Sequence, residues 1–153
     1  MPAHVVLGSA TLLVAAVAAL VALVHALVPA SRRALRWPTL ALVVVALAGA
    51  LATSEAGATL LDAVQATGSA EEVAAAQTHA KGSDTLATAL FLLVVAVLST
   101  TWGALRPGRT AWTVGARVGA SAVALTAVGT LAGVVLVLGQ ALAAVAAGHP
   151  TWS

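Results

Sequence analysis

A chain of 153 residues that is 61% apolar and only 8% charged cannot keep a water-facing surface solvated, because soluble domains carry roughly 25% charged residues. Its mean hydropathy of +1.04 makes lipid the solvent for most of its length. The absence of cysteine excludes disulfides, thiolate metal sites and iron–sulfur ligation. The isoelectric point near 10.6 reflects a net charge of only +2. The arginines sit beside apolar runs and form no basic face, so no nucleic-acid partner is expected.

Four apolar stretches approach the roughly 20 residues that an α-helix needs to cross a bilayer. The first runs from about Val5 to Val28 and stops at Pro29. It lacks a basic leader and exceeds the ~7–15 apolar residues of a signal peptide, so it is read as a retained span. The second follows Trp37-Pro38 and runs to about Ser54, with Pro38 suited to a first helical turn. The third runs from about Leu86 to Thr101, and the fourth from about Val114 to Ala147.

Between the second and third lies one long link, residues 55–84. Leu60, Leu61 and Val64 recur at helical spacing, Gly68 breaks the run, and Ser69 with Glu72 forms an S-x-x-E capping box. A helix restarts there and either runs on into span three or breaks at Gly82-Ser83. The expected fold is therefore all-α: one integral membrane domain spanning 1–153, a four-helix transmembrane bundle. Short amphipathic helices of the link form a lid over its outer end.

Charge placement sets the expected topology. Arg32, Arg33 and Arg36 lie between spans one and two; Arg106, Arg109 and Arg117 surround the link between spans three and four. All five acids (Glu55, Asp62, Glu71, Glu72 and Asp84) and the single lysine, Lys81, fall in the second link or at its edges. Arginine loops stay inside. The chain is thus expected in the bacterial cytoplasmic membrane, with both termini and the lid extracytoplasmic. Trp37, Trp102 and Trp112 mark the inner interface.

Helical rise gives depths. Counting about 20 residues outward from each inner end, the outer boundary falls near Ser9, Gly57, Gly82 and Val137. His4, Glu55 and His79 then share one level, and His149 stands two to three turns higher. An outer metal site built from His4, His79, His149 and Glu55 is one reading, since imidazole is a common ligand and pairs with carboxylates. Haem between facing helices is another. The third is that these residues are polar because water is near. No pair has the i,i+4 or H-E-x-x-H spacing of a zinc motif, which favours the third. His25, a turn from the inner end of span one, fits a proton relay or, better, a side chain reaching the interface beside Arg32 and Arg33. Gly129 and Gly133 form a G-x-x-x-G pair, suited first to packing inside the bundle and second to self-association. Gln140 can hydrogen-bond across helices. The spans hold no charges or breaks of the transporter kind. No nucleophile–base pair or phosphate loop appears, so no enzyme is expected.

The segments HVVLGS, LVPASRRALRWP, LATSEAGATLLD, HAKGSD and GHPTW, in this order, resemble a bacterial four-helix membrane family, domain of unknown function 2231, in its actinobacterial form. That family opens with HPLVVH-like residues. It continues with LVPAWRRRLGWP-like and LATSSGEALEE-like segments, HAELGD and GHSGA-x-x-W. The resemblance covers nearly the whole chain through degenerate motifs. It implies the four-helix fold and family histidines at His4, His79 and His149. Ser9 stands where a second N-terminal histidine would be, and Val5 where its proline would be. Some relatives are joined to, or encoded near, redox domains, which hints at electron transfer. The functional expectation is a structural or accessory subunit that packs against other membrane components. The alternative is a histidine-dependent haem or divalent-metal redox protein, and small-solute transport comes third.

Overall fold

The computed structural model describes residues 3–108 and 111–146; for residues 3–5 and 143–146 it describes the backbone only. The chain is all-helical: α1 Ala3–Leu27, a single 3-10 turn Pro29–Ser31, α2 Arg32–Thr67, α3 Ala70–Thr101 and α4 Val114–Ala146. All four helices are long and apolar enough to cross a membrane. Each packs on its two neighbours in a ring, α1–α2–α3–α4–α1, and the α1/α3 diagonal is sparse.

Small side chains set the spacing. The buried face of α1 is Ala15, Ala18, Ala19, Ala22 and Ala26, a stripe at i, i+3, i+4, i+7. The buried face of α4 includes Ala116, Ala120, Val123, Ala127, Thr130 and Gly133. Leu86, Leu90, Leu93 and Val97 of α3 supply the bulk that fills the space between them. Glycines bring backbones closest. A Cβ at Gly119 would lie 2.9 Å from Ala104 Cβ, and one at Gly133 would lie 3.4 Å from Leu86 Cα. Gly129, the other half of the G-x-x-x-G pair, faces open space. Outside this core, Leu13, Leu125 and Val135 are 68%, 73% and 69% exposed. Such an aliphatic perimeter suits hydrocarbon and not water.

The helix ends are closed by side chains. Ser31 Oγ donates to Val24 O (3.1 Å) and Val28 O (2.9 Å), and Arg32 Nη2 donates to Ala26 O (3.1 Å). The last carbonyls of α1 thus find donors, and a guanidinium meets the negative end of its dipole. Thr113 Oγ1 accepts from Ala116 N (3.2 Å) at the start of α4. Gly108, with φ +86°, makes the turn before it in a conformation that favours glycine.

Two expectations are corrected. Span two does not start at Pro38: α2 begins at Arg32, and Pro38 lies inside it. The carbonyl four residues earlier belongs to Ala34, which is exposed, so the missing N–H leaves no buried acceptor stranded. Residues 55–84 do not form separate short helices. They are the far ends of α2 and α3, joined by the Gly68–Ser69 turn. The capping box stands as expected: Ser69 N donates to Glu72 Oε2 (2.8 Å) and Glu72 N to Ser69 Oγ (3.3 Å). Of the two alternatives after Ser69, the helix runs on into span three, and Gly82-Ser83 is no break. Gly82 is buried against the Gln140 amide, so α3 and α4 touch there. With 36 residues, α2 is about 54 Å long, against ~30 Å of hydrocarbon.

Gly119→Ala should destabilise the bundle by about 1–3 kcal/mol through overpacking, whereas Gly129→Ala should leave the monomer's stability unchanged. Thermal unfolding in detergent, read by circular dichroism, compares them; equal effects would contradict the packing described.

Candidate functional site

Two polar levels interrupt the apolar interior, one near each end of the bundle. The first lies where α1 starts and α4 nears its end. A cavity of about 120 Å³ is lined by Gly8, Ser9 and Thr11 of α1, Ala50 and Thr53 of α2, His79, Ser83 and Leu86 of α3, and Val137 and Ala141 of α4. It adjoins a second cavity of about 210 Å³ between the arms of the α2–α3 hairpin. Thr53, His79 and Ser83 line both. His79 and Ser83 are four apart and therefore share a face of α3.

The hydroxyls here are ordered into a chain. Thr53 Oγ1 donates to Gly49 O (2.8 Å). Its one proton is then spent, so in the Thr11–Thr53 contact (3.3 Å) Thr11 is the donor. Ser83 Oγ donates to His79 O (3.2 Å). What the hydroxyls still offer a guest is mainly acceptor lone pairs.

The four residues expected to form a metal site fall as follows. His79 lines both cavities. Glu55 is exposed and lines neither; the carboxylates that line the hairpin cavity with His79 are Glu72 and Asp84. His4 is described only as part of the backbone of α1, and His149 lies outside the described residues. Among the described residues, no three His, Asp or Glu side chains converge as a metal-ligand set. Ser9, in the position of a family histidine by resemblance, lines the same cavity as His79. The sequence places His4, Glu55 and His79 at one depth, with Ser9 at the outer boundary of span one. It does not single out Thr11, Thr53 and Ser83, whose only signal is a set of hydroxyls at that same depth.

The second level lies at the arginine end. His25 and Arg32 are both completely buried, as are Thr39 and Thr101. His25 therefore does not reach an interface. Leu105, folded back from the turn after α3, is also fully buried at this end. Neither ring nitrogen of His25 has a hydrogen-bond partner among the described residues. The Arg32 guanidinium lies 5.2 Å from the centre of the Trp112 ring, within cation–π range. Its hydrogen bond to Ala26 O makes its role structural, closing α1.

No protein-family model, curated protein or solved structure matches the chain.

Replacing His25 with leucine removes a buried imidazole that makes no hydrogen bond. It should stabilise the protein by about 1 kcal/mol. Thermal unfolding in detergent measures this; a loss of stability would mean that the ring has a bound partner of its own.

Proposed function

We propose that the chain is a multi-pass protein of the bacterial cytoplasmic membrane and serves there as a structural or accessory subunit. Its arginine end lies inside; both termini and the tip of the α2–α3 hairpin lie outside. The observation that carries the reading is the sealed middle of the bundle. Between the two polar levels the interior is Ala15, Ala18, Ala19, Ala22, Val43, Ala46, Leu90, Leu93, Val123 and Ala127, each buried. Thr130 is the polar exception, and its hydroxyl is spent on Thr126 O (2.9 Å). An interior closed in this way argues against a solute path. Function is then expected on the outside of the bundle, in its aliphatic perimeter, the open lane at Gly129 and the hairpin tip. The lane at Gly129 would accept a neighbouring helix or a second copy of this chain. Resemblance to the four-helix family supports the fold and the location.

A second reading has one observation in its favour. His79 lines two adjoining cavities among hydroxyls, which suits a histidine-held haem, a divalent metal or a small polar ligand.

Extraction in a mild detergent should recover the protein in an assembly larger than one chain, seen by native electrophoresis. A monomer carrying bound metal, or a Soret band abolished by His79→Ala, would replace the leading reading with the second. Because the chain has no cysteine, topology is accessible through single cysteines at exposed alanines. Ala70→Cys should react with an impermeant maleimide in intact cells, and Ala30→Cys only after permeabilisation.

A further inference from the structure

We propose that the arginine end of the bundle holds the phosphate headgroup of an anionic phospholipid, in a slot centred on Arg36. This rests on the membrane location proposed above. The Arg36 guanidinium lies 4.9 Å from the ring centre of Trp37 and 4.9 Å from that of Trp102. Two indoles thus attract the cation to their faces, within cation–π distance. The N–H donors of a guanidinium lie in its own plane. With indoles occupying its faces, what remains on offer is its edge.

Among the described residues Arg36 makes no hydrogen bond, and its Nε is buried without an acceptor. Every Asp and Glu side chain lies between residues 55 and 84, at the other end of α2 and α3. Arg33, exposed and three residues earlier on α2, adds a second cation on an adjoining face. Trp37 and Trp102 are themselves 65% and 51% exposed. Exposed indoles of this kind settle at headgroup depth.

An edge-on guanidinium fork with a neighbouring arginine fits the two free oxygens of a phosphodiester. At this depth that group belongs to lipid, and basic clusters at membrane interfaces select anionic headgroups. The aromatic faces fix where Arg36 sits and Arg33 adds charge. A free anion would gain the charge but not the acyl chains held against the exposed aliphatic perimeter.

The test is native mass spectrometry of the full chain released from micelles containing equal amounts of phosphatidylglycerol and phosphatidylcholine with matched acyl chains. Phosphatidylglycerol should be retained at least about fivefold in excess. Removing charge should cost about fivefold per arginine, so Arg33→Gln gives about fivefold and Arg33→Gln with Arg36→Gln about twenty-fivefold. Trp102→Leu, which keeps every charge, should also reduce retention. Equal retention of the two lipids by the unaltered protein would overturn the proposal, as would unchanged retention in Arg33→Gln. The exposed Arg33 side chain can be removed without disturbing packing, so the test survives even if the Arg36 variant does not fold. Displacement of the lipid by excess inorganic phosphate would reassign the slot to free anions. Recovery of the protein in the soluble fraction of lysed cells would sink the membrane reading itself, whereas failure of lipid selectivity in a membrane-embedded protein would sink only this one.

Discussion

How closely two helices can approach depends on what stands between their backbones, and here that is mostly a methyl group or nothing. Lipid gives apolar helices little reason to leave it for one another, so association depends on close van der Waals contact. Alanine along α1, and glycine at Gly119 and Gly133 of α4, permit that contact. The leucines of α3 then fill what is left. Both polar levels are consequences of this arrangement. Where the helices close tightly over apolar side chains the interior is sealed. Where hydroxyls, His79, His25 or Arg32 enter, the packing accommodates polar groups only near the ends.

Much of the fold was legible because lipid imposes a simple rule. Every backbone group must be satisfied within its own helix, so long apolar runs announce themselves and their ends lie close to where α1 and α4 end. The capping box was readable because Ser69 and Glu72 satisfy two backbone donors by local geometry alone. The far part of α2 was misread because Ser54, Glu55 and Gly57 look like a boundary. Polarity, however, does not end a helix. No proline follows Pro38 in α2, and Thr53 and Thr59 spend their hydroxyls on carbonyls of their own helix. The second arm, α3, gives the extension a partner to pack on.

The candidate site was legible in one coordinate only. A constant rise per residue fixes depth: the count that put span one's outer boundary near Ser9 put span three's near Gly82, three residues from His79, and Ser9 and His79 line one cavity. Which way a side chain faces depends on the rotation of each helix about its axis, and an alanine-rich sequence leaves that angle weakly marked. Glu55 and Ser54 are neighbours in sequence, yet Ser54 lines the hairpin cavity and Glu55 does not. The burial of His25 was invisible for a similar reason, since it depends on which way α1 is turned. Charge segregation was the most readable feature of all: arginines and carboxylates occupy opposite ends whatever the helices do in between.

The closure of the first hairpin bears on the order in which the bundle can form. Ser31 and Arg32 bind the last carbonyls of α1 from only a few residues downstream. These three bonds join residues no more than seven apart. The hydrogen bonds that close the leading pair are thus local and independent of the second half of the chain. The trailing pair meets α1 chiefly through α4 and meets α2 through α3, so it packs against a pair whose own turn is already closed.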